Sequence, residues 1–377
     1  MDVLPGKQSL IYLWQLLFAV TALIQFYYLI NFYLRLALYK PAERHQNYPP
    51  VSVIIAARNE YDNLLANLPF ILEQDYPEFQ VIVINDSSWD DSGSVLEGFK
   101  SQYAHLYVIT RLEHDRFEGG KKLAVTLGIK AAKHNRLILT DADCKPLSRQ
   151  WLKTMAGSVQ EADQIVLGYS PYRKEPGVLN AFIRFDSLLT AMNYLGFALA
   201  GHPYMGVGRN LSYSRDRFFE IGGFRRHYSL ASGDDDLLVN ELASKENTVI
   251  CIDKDAVVES LPEQSWKHFW RQKKRHLTTG WKYKKEHKFL LALQSLGLLL
   301  FVISAVILIA NQVWLIAVIS VVLLRILTQI AIFRQSAKWL GQRDLVFLAP
   351  FLEIFVLIFS TCVHIANVST KQTTWKT

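Results

Sequence analysis

The segment VSVIIAARNE, residues 51–60, decides the fold of this chain. Its first part is apolar or small and rich in β-branched residues, a composition typical of a strand buried on both faces of a parallel sheet. The polar residues Arg58 and Glu60 follow at the point where that strand must end. Leucines at helical spacing occupy residues 61–73. The segment therefore predicts the first strand and helix of an α/β domain.

Further strands of the same kind are predicted over residues 80–86, 106–110 and 136–140, with candidates at 164–167 and 247–252. Strands that alternate with helices predict a doubly wound α/β sheet. Asp86 ends one of these strands, and Asp141 and Asp143 follow another. Because ligands of open α/β sheets bind outside the carboxyl ends of the strands, we expect these acids to border a binding site.

The pair Asp141 and Asp143 is a candidate cation site. Carboxylate oxygens bind Mg²⁺, which usually takes one or two of them together with substrate phosphates. Two acids separated by one residue are also common in turns and at helix N-termini. Both interpretations stay open for the pair by itself, and the acids that end the neighbouring strand favour the functional one.

Three consecutive acids, Asp234, Asp235 and Asp236, stand before an apolar run. A helix N-terminus requires only one acid. Crowded carboxylates raise one another's pKa, which suits a general base or a cation site. We therefore expect a functional acid in this triplet, with a simple helix N-terminus as the alternative.

Two further positions suit a nucleotide. Lys121 follows Gly119 and Gly120 at a predicted helix start, where backbone amides and a lysine can bind phosphate, although a solvated lysine is the alternative. Asp86 could accept a hydrogen bond from a nucleobase or a ribose. The chain has no GxGxxG after its first strand and no GxxxxGK[ST], which argues against the common dinucleotide and P-loop sites.

A basic segment near residue 270 contains Gln272, Arg275 and His276. Their spacing places them on one face of a helix. An arginine beside a planar partner could hold a pyrophosphate leaving group. A basic anchor at the membrane surface is the alternative.

The composition indicates a mixture of a folded domain and membrane segments. The chain is 50% hydrophobic and 20% charged, which excludes a disordered protein. Its three cysteines lack the spacing of a zinc site or a disulfide scaffold. Four segments are apolar enough to cross a membrane, which takes about 20 residues; they cover about 10–34, 289–310, 313–333 and 345–366.

Two charged residues fall within these segments, Arg325 and Glu353. Ionisable residues in a span usually face protein or water, so the two could pair between helices. Alternatively, Arg325 extends its charged end to the membrane surface. A separate apolar stretch over residues 178–201 favours a helix lying on the membrane, with a buried core helix as the alternative.

Lysines and arginines follow the first span, precede the second and separate the third from the fourth. Because cytoplasmic loops carry such an excess, we expect a multi-pass protein of the cell membrane. The predicted domains are the first transmembrane region, residues 1–39, a cytoplasmic catalytic domain, residues 40–288, and three transmembrane helices within 289–377. The net charge of +7 then lies near lipid headgroups and requires no nucleic-acid partner.

Six motifs resemble, in order and spacing, those of the family 2 glycosyltransferases with a GT-A catalytic domain, a Rossmann-like α/β fold. They are VSVIIAARNE (51–60), VIVINDSS (81–88), GGKKLAVTLGI (119–129), LTDADC (139–144), GDDDL (233–237) and QKKRH (272–276). The resemblance implies a nucleotide-sugar donor, commonly a UDP-sugar, and Mg²⁺ or Mn²⁺ as cofactor.

The resemblance also implies roles for individual residues at the donor site. Ala56, Arg58 and Glu60 would contact the nucleotide, and Asp86 would hold the base. Lys121 would lie near the diphosphate. Asp141 would contact both the nucleotide and the metal, and Asp143 would be the main metal ligand.

At the acceptor side, Asp234 matches the family's catalytic base. The acid that usually precedes this base is replaced by Gly233, so Asp235 stays open as the alternative. Gln272 and Arg275 match the QxxRW motif, with His276 in the place of the tryptophan. The segment 202–210 contains glycines and could approach the donor or the acceptor.

We therefore expect an inverting glycosyltransferase that transfers a sugar to a lipid or lipid-linked acceptor at the cytoplasmic membrane face. A long polysaccharide channel normally needs more than four spans. The alternatives are a short processive synthase that extends a glycan, and a catalytically inactive membrane scaffold.

Overall fold

The computed structural model describes residues 5–41, 47–112 and 120–368. Its helices are α1 Pro5–Tyr28, α2 Leu34–Ala37, α3 Tyr61–Leu72, α4 Ser92–Gln102, α5 Lys121–Ala131, α6 Trp151–Gly157, α7 Val178–Leu199, α8 Arg215–Glu220, α9 Asp236–Leu242, α10 Trp266–His276, α11 Lys285–Ala310, α12 Leu315–Leu340 and α13 Ala349–Val368. The chain divides into a helical unit, Met1–Tyr39 with Lys284–Thr361, and an α/β unit, Lys40–Tyr283 with Cys362–Thr377.

The α/β unit is built on a seven-stranded sheet of order β3-β2-β1-β4-β7-β6-β8, and β5 and β9 form a separate two-stranded sheet. The strands are β1 Val51–Ala57, β2 Phe79–Asp86, β3 Leu106–Arg111, β4 Arg136–Asp141, β5 Cys144–Pro146, β6 Ile165–Gly168, β7 Leu211–Ser214, β8 Thr248–Cys251 and β9 Val258–Ser260. This mixed α/β sheet confirms the predicted fold class.

The first four strands run parallel, and this places the polar strand ends together. Strand β1 is buried along its whole length, as its apolar sequence predicts. It pairs with β2 on one side and with β4 on the other. Ala56 lies opposite Asp141 of β4, and Asp86 lies opposite Arg111 of β3. The acids at the ends of β2 and β4 therefore occupy one edge of the sheet.

The sheet differs from a purely parallel one at β7, which runs antiparallel to both β4 and β6. This strand is only four residues long and contains two serines, so its sequence has no apolar run of the kind that predicts a buried strand. The candidate strands at 164–167 and 247–252 correspond to β6 and β8.

Helix α7 is a core helix of the α/β unit. Most of its side chains are buried, including Phe185, Leu195 and Phe197. The structure therefore supports the alternative of a core helix over a helix lying on the membrane.

Within the described residues, four helices are long and apolar enough to cross a membrane: Gln8–Ala37, Lys285–Ala310, Leu315–Leu340 and Ala349–Asn367. They agree in number with the prediction and extend a few residues beyond most of its limits. The first contains a π-helical turn, Leu29–Tyr33.

A buried polar cluster joins three helices of the helical unit. Arg325 Nη2 donates to Glu353 Oε2 over 2.6 Å and to Gln25 Oε1 over 3.2 Å. Gln329 accepts from Arg325 Nη1 and donates to the same glutamate oxygen. The two charged residues therefore pair between helices, and Arg325 does not extend to the surface.

Candidate active site

Asp141 and Asp143 lie at the carboxyl end of β4, as the sequence predicts. Their carboxylates and the Cys144 sulfur lie within 4.8 Å of one another. Burial and the nearby charge of Asp141 raise the pKa of Asp143. Burial likewise raises the pKa of the Cys144 thiol, so this residue stays a neutral neighbour. Two crowded carboxylates suit a hard divalent cation, whose charge would relieve their repulsion.

Asp143 is held in place by the short sheet beside it. Ser260 Oγ of β9 donates to its Oδ2 over 3.3 Å, and Cys144 Sγ of β5 donates to its Oδ1 over 3.3 Å. The contact from Ser260 is long for an O–H···O hydrogen bond, and the Cys144 thiol is a weak donor. They orient the carboxylate, and its oxygens can still bind a cation.

Lys121 connects this pair to the acidic triplet. Its Nζ lies 2.9 Å from Asp141 Oδ1 and 3.0 Å from Asp234 Oδ2. The lysine is the first residue of α5 and follows Gly120, the N-cap. The structure therefore brings together residues that are up to 113 positions apart in the chain (234 minus 121), each from a motif singled out in the sequence.

The neighbouring Lys122 has a different role. Its Nζ is buried and donates to the backbone oxygens of His227 over 2.6 Å and Leu230 over 3.0 Å. Burial lowers the pKa of Lys122 to about 8. Of the two lysines, Lys121 forms the ion pairs with the acids, and Lys122, whose charge also acts on Asp234, holds the segment that leads to the triplet.

The three acids of the triplet have three different environments. Asp236 accepts from Thr279 Oγ1, from Tyr283 Oη over 2.7 Å and from the Leu237 backbone N–H over 2.8 Å. Burial raises the pKa of Asp236. With its oxygens taken by these donors, Asp236 is a structural residue at the start of α9.

The pKa values of Asp234 and Asp235 are shifted in opposite directions. Burial acts to raise the pKa of Asp234, but the ion pair with Lys121 outweighs it and lowers the pKa. Burial and repulsion from Asp234 and Asp236 raise the pKa of Asp235 to about 7. Asp235 is the N-cap of α9, and it accepts from the backbone N–H groups of Asp236 and Gly208, each over 2.8 Å.

At the other end of the edge, Asp86 is fully buried. Arg111 Nε donates to its Oδ1, and its Oδ2 is buried without a hydrogen-bond partner among the described residues. An orphaned acceptor of this kind suits a donor from a nucleobase or ribose. Sequence reasoning missed Arg111, and only the pairing of β2 with β3 reveals it.

The loops after β1 and β2 are linked to each other. The Asn59 backbone N–H donates to Ser88 Oγ over 2.9 Å, and Asn59 Oδ1 accepts from the Trp89 backbone N–H over 3.0 Å. Asn59 and Ser87 both adopt left-handed backbone conformations, with φ of 54° and 55°. These tight turns hold the loops at the edge of the sheet.

The remaining predicted nucleotide residues belong to the same region. Ala56 is in β1, and Arg58 is half-buried directly after it. Glu60 is buried, and its Oε2 accepts from Asn63 Nδ2 over 2.6 Å at the start of α3. Their contact with a nucleotide stays a prediction.

Gln272, Arg275 and His276 are on α10, and polar contacts of this helix include an ion pair and a hydrogen bond to the rest of the domain. Lys273 Nζ lies 2.9 Å from both carboxylate oxygens of Asp186 on α7. Gln272 Oε1 accepts from Tyr172 Oη over 3.4 Å. Desolvation by the surrounding protein, followed by the cations Arg275 and Lys273, lowers the pKa of His276, although its side chain is exposed to solvent in part.

Residues 52–218 match the family model described as Glycosyl transferase family 2. A poly-beta-1,6-N-acetyl-D-glucosamine synthase of Staphylococcus epidermidis is 33% identical over 99 residues, which cover 26% of this chain and 23% of that protein. Glycosyltransferase AglE of Haloferax volcanii is 28% identical over 189 residues, 50% of this chain and 59% of that protein. The chain thus spans less than two thirds of the length of these relatives.

Among solved structures, a mannosyltransferase from Pyrobaculum calidifontis in complex with GDP-Man and Mn²⁺ has a TM-score of 0.59 at 18% identity. The match covers 93% of this chain and 99% of that one, and it indicates a shared fold. Together these matches confirm the resemblance to family 2 glycosyltransferases that the sequence motifs indicate.

Proposed function

We propose that this protein is a membrane-bound, inverting glycosyltransferase, because residues 52–218 match the model of glycosyltransferase family 2. It transfers a sugar from a nucleotide-sugar donor to a lipid or lipid-linked acceptor. The observation that carries the proposal is the position of Lys121, whose ammonium group contacts both Asp141 and Asp234. One charged group therefore links the acids suited to a cation with the acid suited to a base.

The donor would lie along the carboxyl edge of β1, β2 and β4. Asp86 Oδ2, which has no hydrogen-bond partner among the described residues, would accept a hydrogen bond from the base or the ribose. Asp141 and Asp143 would hold Mg²⁺ or Mn²⁺, and the bound cation would neutralise charge on the diphosphate leaving group. The Pyrobaculum calidifontis structure, which contains GDP-Man and Mn²⁺, is consistent with such a cation.

Asp234 is the acid that we propose as the catalytic base. A base must be ionised and must have an oxygen that can face the acceptor hydroxyl. The pair with Lys121 keeps Asp234 ionised, whereas the oxygens of Asp235 accept from backbone N–H groups. When a diphosphate attracts Lys121, Asp234 would be released to accept the proton.

A single base without a protein nucleophile implies one displacement and inversion at the sugar carbon. Lys121 and Arg275 would neutralise charge on the leaving diphosphate, and Gln272 would help to position it. His276 would face the acceptor in neutral form, because its pKa is lowered. These residues orient the substrates, and Asp234 removes the proton.

The proposal of a membrane-embedded acceptor rests on the helical unit. Four helices can cross a membrane, and the basic residues that flank them favour a cytoplasmic catalytic domain. An acceptor embedded in that membrane, a lipid or a lipid-linked glycan, would meet the donor at this face. A short processive synthase is the alternative, and the resemblance to the Staphylococcus epidermidis synthase is consistent with either product.

The test uses the full chain, purified in detergent, with UDP- and GDP-sugars and a membrane lipid extract. We expect release of nucleoside diphosphate that depends on a divalent cation and on the lipid. One discrete glycolipid supports single transfer, and a ladder of products supports the processive alternative. Asp143→Ala should abolish release while the protein still purifies folded, and unchanged turnover in this variant would refute the site.

A further inference from the structure

Arg209 is a cation of the α/β unit that the predicted site does not include. It lies in the short helical turn Gly208–Asn210, directly before β7. The backbone on both sides of it is fixed. The Gly208 N–H donates to Asp235 Oδ2 over 2.8 Å. Asn210 is fully buried, and its side chain binds Trp151 Nε1 and the backbone oxygen of Tyr169.

The Arg209 side chain is stacked on an aromatic ring. Its Cζ lies 4.5 Å from the centroid of the Tyr172 ring. The hydroxyl of the same tyrosine donates to Gln272 Oε1 over 3.4 Å. A guanidinium group held against a ring has a defined plane. Arg209 is therefore oriented by a residue that also contacts the motif on α10.

At least one nitrogen of this guanidinium group is buried without a hydrogen-bond partner. Among the described residues, Arg209 Nη1 is shielded from solvent and has no hydrogen-bond partner. Leaving a buried donor unpaired costs about 1–3 kcal/mol, so a fixed arginine in this state is a candidate for ligand binding.

The charge of Arg209 is supported by the groups around it. Burial acts to lower its pKa, but Tyr172 and Cys144, followed by Asp143 and Asp141, outweigh burial and raise it. The same arginine helps to lower the pKa of His276. Arg209 is therefore close enough to influence both the candidate cation site and His276 of α10 electrostatically.

We propose that Arg209 binds a phosphate group of a substrate within this site. The inference rests on the proposed function and names a residue for substrate recognition. A planar guanidinium matches the oxygens of a phosphate and can bind two of them at once. The phosphate could belong to the donor diphosphate or to a phosphorylated lipid acceptor, and the two sources predict different results.

The donor arm measures binding by the full chain in detergent with Mn²⁺ present. The probes are UDP and GDP, with uridine and guanosine as references that lack phosphate. If the donor diphosphate is the ligand, Arg209→Met raises the Kd for the bound nucleoside diphosphate about 10-fold or more, in line with loss of a charge-assisted hydrogen bond. Nucleoside binding stays unchanged, and Arg209→Lys retains part of the affinity.

The acceptor arm compares farnesyl phosphate with farnesol as competitors of the transfer reaction. If the acceptor phosphate is the ligand, Arg209→Met weakens inhibition by farnesyl phosphate alone and leaves the nucleoside diphosphate Kd unchanged. If both affinities equal those of the wild type, Arg209 only balances the charge of Asp143 and the proposal is wrong.

Three controls separate the proposal from loss of structure and from failure of the proposed function. Arg149→Met removes an arginine that pairs with Glu73 at the surface, and it should leave both affinities unchanged. Tyr172→Phe retains the ring under Arg209 but removes the hydroxyl contact with Gln272, so its loss of phosphate affinity should be smaller than that of Arg209→Met. Wild-type protein that binds UDP or GDP in an Arg209-dependent way but turns over no donor would refute the proposed function and support the phosphate site.

Discussion

Lys121 Nζ lies 3.0 Å from Asp234 Oδ2, and this ion pair joins two motifs that the chain separates widely. The same ammonium group contacts Asp141 at the end of β4. An ammonium shared by two acids is available to an incoming diphosphate, since phosphate oxygens can replace either carboxylate as its partner. In the proposed mechanism, the pair would connect donor binding with release of the base.

We predict that Lys121→Met lowers kcat/KM for the donor about 10- to 100-fold, because it removes a charge-assisted contact worth about 1.5–3 kcal/mol. Steady-state release of nucleoside diphosphate measures this loss. Lys122→Met is the matched control. It leaves the carbonyls of His227 and Leu230 without their donor, so it should lower thermal stability more than donor affinity. Equal kinetic losses in the two variants would contradict the division of roles.

We predict that Asp234→Asn lowers kcat about 100- to 10,000-fold, the range that general-base catalysis contributes. Asp235→Asn should lower it less than about 10-fold, because the amide oxygen can still accept one backbone N–H group. Donor affinity separates this effect from misfolding, because both variants should bind nucleoside diphosphate. If Asp235→Asn abolishes turnover and Asp234→Asn does not, the base is Asp235.

Asp235 also predicts how stability depends on pH. Its pKa is raised to about 7 in the folded state, above the ordinary value near 4. Between these values the folded state retains a proton that the unfolded state has released, so its contribution to the free energy of unfolding falls as pH rises. We expect thermal unfolding midpoints to fall less between pH 5 and pH 7 in Asp235→Asn than in the wild type. Parallel pH profiles would contradict this prediction.

The parts of this site that can be predicted from the sequence are those that depend on local sequence patterns. Strand β1 is buried on both faces, so its apolar run predicts it directly, and the acids at the ends of β2 and β4 follow from the parallel arrangement. Lys121 is recognisable because it begins a helix after Gly120.

Other parts depend on tertiary contacts between distant residues. Nothing local distinguishes Asp234, which pairs with Lys121, from Asp236, which pairs with Thr279 and Tyr283. Arg111 contacts Asp86 only because β2 and β3 pair. Arg209 is held at the site by the ring of Tyr172, which is 37 positions away in the chain (209 minus 172). The short strand β7 is not predicted from the sequence because it lacks an apolar run.

The ion pair between Lys273 and Asp186 predicts a positioning effect on α10. Both side chains are largely buried, with exposed fractions of 12% and 10%. Asp186→Asn should therefore lower kcat/KM about 10-fold by loosening the helix that carries Gln272 and Arg275. A reversed pair, Asp186→Lys with Lys273→Asp, should recover part of this loss.

The matched control for this pair is Arg217 with Glu220, which is exposed and lies 2.9 Å apart. Exposed ion pairs contribute about 0–1 kcal/mol, so Glu220→Gln should leave the rate unchanged. A rate loss in Asp186→Asn that persists fully in the reversed pair would show that the aspartate acts through something other than its charge.

The last prediction concerns the helical unit, where Arg325 and Glu353 form a buried pair with Gln25 and Gln329. Removing one charge leaves the other unpaired in an apolar region, and breaking a buried pair costs about 3–5 kcal/mol. Glu353→Leu alone should therefore lower the thermal stability of the detergent-solubilised chain strongly. Arg325→Met combined with Glu353→Leu should recover most of it, because apolar side chains of similar size can replace a buried pair.

The control for this double variant is Ile316→Met, a substitution of an exposed residue of α12, which should leave stability close to that of the wild type. If Glu353→Leu alone is as stable as the double variant, the arginine has another route to satisfy its charge, and the pair does not hold the helices together. If the double variant is no more stable than Glu353→Leu, the two glutamines depend on the charges. Gln25 and Gln329 would then have lost Arg325, the partner that they share.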